Sequence, residues 1–195
     1  MTAENFDYDE IHKAYYDRIV KYFSRTIGHD EARDLAQDVF LKVYNSIGTF
    51  RGESALYTWI YRIATNHLID MMRRKKKKNV VDRCNLLDKQ LFCKGNPEYL
   101  TEEFRMAEQE MKECICSYIK MLPAQYHAII ILREYESMPV LEIARVMDIK
   151  TDNAKKMLSR ARAKLKRLLA ERCNFYYNEQ NRFSCEKKEG RAPFP

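Results

Sequence analysis

Glycine and proline are scarce in this chain, which has five residues of each among its 195. Because these two residues interrupt regular backbone structure, their scarcity favours long helices over a fold rich in tight turns. Apolar residues also recur at every third or fourth position in several segments, as they do on one face of a helix. We therefore predict an all-α fold.

The periodic segments give the approximate bounds of the helices. Helices are predicted over residues 8–27, 30–46, 54–74, 102–121, 124–135, 139–147 and 151–172. Asp30 and Ser54 are candidate caps for the second and third helices, and Pro123 and Pro139 suit helix starts.

Between the third and fourth helices the periodicity fades, and Gly95-Asn96-Pro97 would end any helix. The pattern predicts two helical domains, residues 1–78 and 105–172, joined by a flexible linker over 79–104. The tail, residues 173–195, has no clear period, and we expect it to be loose.

Positive charge is concentrated near the end of the second domain. Residues 142–172 contain ten Lys or Arg and four Asp or Glu, a net of +6, whereas the whole chain carries +7. A short helix, a turn at 148–150 and a longer basic helix have the outline of a helix-turn-helix, whose second helix enters the major groove of DNA. The cations and hydroxyl expected to point away from the apolar face are Lys155, Lys156, Ser159 and Arg162. The alternative is an ordinary amphipathic helix pair with a solvated basic face.

The predicted helix over 54–74 interleaves aromatic and polar side chains. Its aromatics are Tyr57, Trp59 and Tyr61, and its polar residues include Arg62, Asn66, Arg73 and Arg74. Such a mixture suits single-stranded DNA, because bases stack on rings while cations hold the backbone. Alternatively, Trp59 is a core residue, and the six cations of Arg73–Lys78 form a solvated face or part of the linker.

The predicted helix over 30–46 carries Asp34, Gln37 and Asp38 on one face. No His or Cys follows either acid by three or four positions, so the pattern favours a solvated face or a docking surface over a metal site.

Catalytic and cofactor motifs are lacking in the sequence. None of the six cysteines has CxxC spacing, and there is neither a phosphate-cradling glycine loop nor a nucleophile elbow. We therefore predict no catalytic residues, no metal and no cofactor. Met1–Glu10 does not resemble a signal peptide and no apolar run approaches about 18 residues, so we expect a cytoplasmic protein with reduced thiols and no membrane insertion.

Ordered motifs in both predicted domains resemble one family. The first domain contains Asp34-Leu-Ala-Gln-Asp-Val-Phe-Leu-Lys-Val-Tyr44, then Phe50-Arg-Gly-Glu-Ser54, then Thr58-Trp-Ile-Tyr-Arg-Ile-Ala-Thr-Asn66 and Asp70. The second contains Leu122-Pro123, Glu142-Ile-Ala144, Asn153-Ala-Lys155 and Ser159-Arg-Ala-Arg162. The two sets resemble regions two and four of the extracytoplasmic-function (ECF) group of bacterial RNA polymerase sigma factors, in the sigma-70 family.

The resemblance implies a non-enzymatic protein with three surfaces. The core RNA polymerase would be bound by Asp34, Gln37 and Asp38. The minus-ten promoter element would be melted and held by Phe50, Arg51, Ser54, Trp59, Arg62, Asn66, Arg73 and Arg74. The minus-thirty-five element would be read by Thr151, Asn153, Lys155, Lys156, Ser159 and Arg160. It also implies an anti-sigma factor as a further partner.

Some positions depart from the family pattern, and two other functions are open. Lys156-Met157 stands where the family often has Ser-Arg, and Asp152-Asn153 stands where it often has Gly-Thr. His127 stands where an Arg is frequent. One alternative is a helix-turn-helix regulator that binds duplex DNA without polymerase. The other is a metal-dependent hydrolase, which would use Glu31, Asp34 and Asp38.

Overall fold

A computed structural model describes residues 7–78, 111, 114–177 and 183–188. Its first three helices are α1 (Tyr8–Ser24), α2 (His29–Ser46) and α3 (Leu56–Lys78). A short 3₁₀ turn, Ile47–Thr49, and an irregular loop separate α2 from α3.

The caps of these helices differ in part from those expected. Asp7 caps α1, because its side chain accepts a hydrogen bond from the Asp9 N–H at 2.9 Å. Asp30 is not a cap: α2 starts after Gly28, so Asp30 lies in the first turn, where its charge suits the helix dipole. Ser54 instead donates its hydroxyl to the Ala55 carbonyl at 3.4 Å, just before α3 begins.

The second half of the described chain is also helical. Residues 114–120 form α4, and α5 (Ala124–Ile130) starts after Pro123 and continues as a π-helical segment, Ile131–Tyr135. The remaining helices are α6 (Val140–Met147), which starts after Pro139, and α7 (Thr151–Arg172). Between them, Asp148 adopts a left-handed conformation with φ 55°, which ends α6 and turns the chain. The predicted all-helical architecture and the helix-turn-helix are confirmed.

The expectation of a loose tail is wrong for ten of its residues. Strands β1 (Cys173–Tyr177) and β2 (Phe183–Lys187) form an antiparallel hairpin, with Phe175 opposite Cys185. Alternating hydrophobicity does not reveal β1, because Cys173 is buried while the next four residues are exposed. The hairpin is joined to α7 by Lys188, whose N–H donates to the Arg172 carbonyl and whose Nζ donates to the Ala170 carbonyl. The predicted linker over 79–104 lies outside the described residues.

One hydrophobic core connects the two halves. Tyr22, Phe40 and Leu68 from α1–α3 belong to the same buried cluster as the segment 129–132 and Ile143 from α5–α6. Packing between α3 and both α5 and α6 joins the halves. Within the described residues, no helix is long and apolar enough to cross a membrane.

Two threonines of α3 are buried, one at the contact between the halves and one within the first half. Thr58 is 2% exposed and Thr65 is fully buried. Each hydroxyl has a partner, since Thr58 donates to Glu142 at 2.7 Å and Thr65 shares a hydrogen bond with the Tyr22 hydroxyl at 3.1 Å. Thr58 therefore belongs to the interface between the halves, whereas Thr65 belongs to the packing of α3 against α1.

Candidate polymerase and nucleic-acid interfaces

The acidic side of α2 faces solvent. Asp34, Gln37 and Asp38 are exposed, whereas the opposite side of the helix, including Leu35 and Val39, is in the core. The structure thus brings together the three residues that we predict to bind polymerase. Two apolar side chains one and two turns further along α2, which the sequence analysis does not single out, are also exposed: Leu41 at 61% and Tyr44 at 59%.

Asp38 is positioned by a histidine of the neighbouring helix. The Nε2 atom of His67 lies 3.5 Å from the Asp38 carboxylate, and its Nδ1 atom lies 2.7 Å from the Lys42 ammonium. Partial burial, together with the Lys42 charge, lowers the pKa of His67. A neutral ring therefore accepts at Nδ1 from Lys42 and donates at Nε2 to Asp38, which leaves most of the Asp38 side chain accessible.

The acids proposed for a metal-dependent hydrolase are not gathered into one site. Glu31 forms an ion pair with Lys75 of α3, whereas Asp38 faces His67. In the parts of the chain that the structure describes, no group of three or more potential ligands could hold a metal ion.

The loop before α3 carries the first of the residues predicted to bind the minus-ten element. Phe50 packs against Trp59 with ring centroids 5.3 Å apart and a 47° angle between the planes. Gly52 has φ 69°, a conformation that glycine adopts without strain, and it reverses the chain beside the exposed Arg51. The loop and the start of α3 thus place a pair of packed rings near an exposed cation.

A cleft of about 610 Å³ separates this loop from the helix-turn-helix. Five predicted minus-ten residues line it: Phe50, Arg51, Ser54, Trp59 and Arg62. The opposite wall includes Arg145, Asp148, Lys150 and Thr151, so the first residue of α7 also faces the cleft. Asn66, Arg73 and Arg74 are exposed further along α3 and do not line it.

The outer face of α7 is basic and accessible. Asn153, Lys155, Lys156, Ser159 and Arg160 are exposed, while Ala154, Leu158 and Ala161 are buried on the inner face. Lys155 makes a long ion pair with Asp152 at 3.6 Å, and both side chains are mostly exposed. Arg162 also lies at the surface, but its Nε donates to Glu134 at 3.0 Å, so this cation has a partner within the same half.

Glu136 links the two halves, a role that sequence reasoning did not predict. Its carboxylate accepts from the Arg25 Nε at 3.3 Å and from the Tyr61 hydroxyl at 2.8 Å. Burial and the Glu136 charge raise the pKa of Tyr61, so this phenol remains a hydrogen-bond donor. The preceding π-helical segment and the left-handed Ser137, with φ 53°, place the carboxylate on the side of α1 and α3.

A second junction between the halves is fully buried. The His127 ring has no exposed surface, and its Nε2 atom lies 2.7 Å from the Thr26 hydroxyl. Neither Thr26 nor Glu136 carries a sequence signal that would reveal these contacts, because the partners are about a hundred residues apart.

An exposed acidic face on one helical unit and a basic helix-turn-helix on another are typical of a two-part, DNA-binding transcription factor. The family models agree: Sigma-70 region 2 matches residues 11–78, and Sigma-70, region 4 matches residues 112–165. The chain belongs to the sigma-70 family of RNA polymerase sigma factors, and it is of the ECF type.

Two curated relatives illustrate the match. The RNA polymerase sigma-H factor of Pseudomonas aeruginosa is 32% identical over 166 residues, which cover 77% of this chain and 83% of that protein. The ECF RNA polymerase sigma-E factor of Escherichia coli K12 is 30% identical over 154 residues, with 76% and 78% covered.

Two solved structures share the fold. The sigma factor RpoE of Bartonella quintana, solved in complex with the anti-sigma factor NepR, aligns with a TM-score of 0.59, 21% identity and coverage of 84% of this chain and 97% of that one. CnrH, solved in complex with the cytosolic domain of CnrY, aligns with a TM-score of 0.57, 19% identity and coverage of 84% and 88%. The resemblance found in the sequence is confirmed. A regulator that acts without polymerase would leave the match over residues 11–78 without a role.

Proposed function

We propose that this sigma factor directs core RNA polymerase to specific promoters and assists DNA melting through three separate surfaces. The observation that carries the proposal is the ordered match of region 2 and region 4 to two helical units. The first unit has an exposed acidic face, which suits a basic protein partner, and the second has an exposed basic face, which suits DNA.

The α2 face is the proposed docking site for core polymerase. Its exposed acids can pair with cations of a partner helix, while Leu41 and Tyr44 supply apolar area that is still accessible. Interfaces of this kind combine charge complementarity with a few large anchors, so this combination favours a protein partner over simple solvation.

The Phe50 loop and α3 are the proposed minus-ten site. Phe50 and Trp59 offer ring surface for an unstacked base, and Arg51 can bind its phosphate. The exposed Asn66 amide can both donate to and accept from a base edge. A surface that binds only unpaired bases stabilises open DNA and shifts the melting equilibrium without breaking a covalent bond.

The outer face of α7 is the proposed minus-thirty-five reader. Lys155, Lys156 and Arg160 are free of the core and suit phosphates, while Asn153 near the start of the helix is placed to reach base edges. On this assignment duplex binding by region 4 supplies affinity and region 2 supplies the preference for melted DNA.

We also propose that an anti-sigma factor regulates this protein and that it acts in the cytoplasm as a non-enzymatic initiation factor. The sigma factor RpoE of Bartonella quintana, which shares its fold, was solved in complex with the anti-sigma factor NepR, which supports the first point. Core polymerase and promoter DNA, its proposed partners, are found in the cytoplasm of a bacterium, which supports the second.

Run-off transcription with purified core polymerase over genomic fragments tests the proposal. We expect transcripts with defined starts that require this protein. Asp38→Arg should reduce them by weakening assembly, and Asp17→Arg, an equal charge change at an exposed position of α1, should not. Duplex binding without any stable complex with core polymerase would instead favour the regulator that works alone.

A further inference from the structure

Asp38 and Lys42 lie one turn apart on α2, with the acid on the N-terminal side of the cation. Opposite charges in this order and at this spacing attract each other along a helix, so the two residues are expected to form an intrahelical ion pair. Among the described residues the structure shows a different arrangement. Asp38 and Lys42 do not pair with each other, and both side chains turn to His67 of α3.

The His67 ring lies between the two charges and meets each of them with a different nitrogen. Its Nδ1 atom accepts from the Lys42 ammonium at 2.7 Å, whereas its Nε2 atom lies 3.5 Å from the Asp38 carboxylate. The contact to the cation is short and the contact to the acid is long, so the ring binds Lys42 more strongly than it binds Asp38. Lys42 is therefore kept away from the carboxylate, which stays accessible.

The ring can bind the ammonium because it is partly buried and neutral. The His67 side chain is 22% exposed, whereas that of Asp38 is 65% exposed. Burial lowers the pKa of His67, and the charges of Lys42 and Arg74 lower it further, although Asp38 opposes the shift. A protonated ring would have no acceptor for Lys42, so the neutral form is the one that makes this contact.

A cation of region 2 does neutralise another acid of the same helix. Glu31, two turns before Asp38 on α2, forms an ion pair with Lys75 of α3. Such a pair must be broken before the acid can meet a cation of a partner protein, which weakens its contribution to docking. In the parts of the chain that the structure describes, Asp38 has no such pair with a Lys or Arg.

We propose that His67 is a positioning residue for polymerase docking, which holds Lys42 away from Asp38 and so leaves the Asp38 carboxylate available to a cation of core polymerase. The inference rests on the proposed docking function of the α2 face. It adds a residue of the neighbouring helix that determines how strongly this face binds.

His67→Leu tests the proposal, because leucine fills much of the same partly buried space but has no nitrogen to hold Lys42. The ammonium should then pair with Asp38. The affinity for core polymerase, measured by surface plasmon resonance, should fall about threefold, as expected when one exposed ion pair must be broken on binding.

A second change at Lys42 separates positioning from a loss of packing. In the double variant His67→Leu/Lys42→Met no ammonium can reach Asp38, so its affinity for core polymerase should equal that of Lys42→Met alone. The matched control is Lys13→Met, which removes a cation at an exposed position of α1. This control should not rescue His67→Leu.

Heteronuclear NMR of the His67 ring nitrogens tests the geometry in the whole wild-type chain without polymerase. We expect the tautomer with its proton on Nε2 and with Nδ1 as the acceptor. The Nδ1 signal should shift in Lys42→Met. A proton on Nδ1 would overturn the proposal, because Nδ1 could not then accept from Lys42.

Circular dichroism checks that each variant keeps its helix content. Equal affinities of His67→Leu and wild type for core polymerase would show that His67 does not position the docking acid. A loss that persists undiminished in the double variant would assign the effect to packing and not to Lys42, which also overturns the proposal. Failure of the proposed docking function has a separate signature, since Asp38→Arg would then bind core polymerase as wild type does.

Discussion

The Nε2 atom of His127 lies 2.7 Å from the hydroxyl of Thr26, a residue 101 positions earlier in the chain. Its Nδ1 atom lies 3.1 Å from the Ile119 carbonyl, to which Nδ1–H donates, so the Thr26 hydroxyl donates to Nε2. A neutral imidazole with its proton on Nδ1 can make both of these hydrogen bonds. Complete burial, with a smaller contribution from Lys120, lowers the pKa of His127 to about 4, although the hydrogen bond to Ile119 opposes the shift.

The protein should therefore lose stability as the pH falls from about 6.5 towards 4. The unfolded chain takes up a proton near 6.5, while native His127 does not until the pH approaches 4. Between pH 6.5 and pH 5 this single group should lower the free energy of unfolding by about 1–2 kcal/mol. Urea unfolding at several pH values measures the effect.

The matched variants for this test are His127→Gln, which removes the titrating ring, and His29→Gln, at an exposed position. The first should flatten the pH dependence in this window and the second should retain it. An unchanged profile in His127→Gln would assign the proton uptake to other groups.

Asp38→Arg should weaken binding to core polymerase and leave the fold intact. The side chain is 65% exposed, and its contact with His67 is long, so the change should cost under about 0.5 kcal/mol of stability. A reversed charge within a docking surface costs much more in binding. Surface plasmon resonance against core polymerase, with Asp17→Arg as the control, measures it, and equal affinities would exclude α2 as the docking site.

Changes at Phe50, Arg51 and Asn66 should leave closed-complex formation nearly intact and impair opening. Each lost stacking or hydrogen-bonding contact to a base should cost roughly 1–3 kcal/mol. Permanganate footprinting measures opening. A template with a pre-melted bubble should rescue these variants, because its unpairing cost has already been met.

Lys155→Ala is the control for the bubble experiment. It should respond less to the bubble and more to a stronger upstream element. Variants of Phe50 and Asn66 that remain equally defective on the bubble act after opening or through folding, which would remove the melting site from this loop.

Lys155→Ala should also flatten the salt dependence of duplex binding by the whole protein. A cation that neutralises one phosphate contributes about 0.9 to the slope of log affinity against log salt. Lys155 is 66% exposed and only loosely paired with Asp152, so it is available for such a contact. Lys13→Ala, at an exposed position on α1, is the control. A slope identical to that of wild type would show that Lys155 does not touch phosphate.

The helices and their exposed faces could be predicted from the sequence because they depend on the local spacing of apolar residues. Ala154, Leu158 and Ala161 recur at helical intervals and are buried, as their spacing predicts. The turn at Asp148 and the starts at Pro123 and Pro139 follow from local backbone chemistry as well.

The contacts between the halves could not be predicted from local spacing. Thr58 and Tyr61 have the spacing of a partly polar helix, but their partners Glu142 and Glu136 are 84 and 75 residues away, and nothing local connects them. The hairpin was missed for a related reason. Strand β1 is short and lacks alternation, and its one buried residue, Cys173, donates its thiol to the hydroxyl of the distant Tyr118.

The long separation of His127 from Thr26 also has a consequence for the newly made chain. At about 5–20 residues per second, the ribosome adds His127 roughly 5–20 s after Thr26. The buried Tyr22–Thr65 hydrogen bond needs only 43 further residues, so α1–α3 can fold first. A nascent chain therefore passes through an interval in which α3 is complete and its cover has not yet been synthesised.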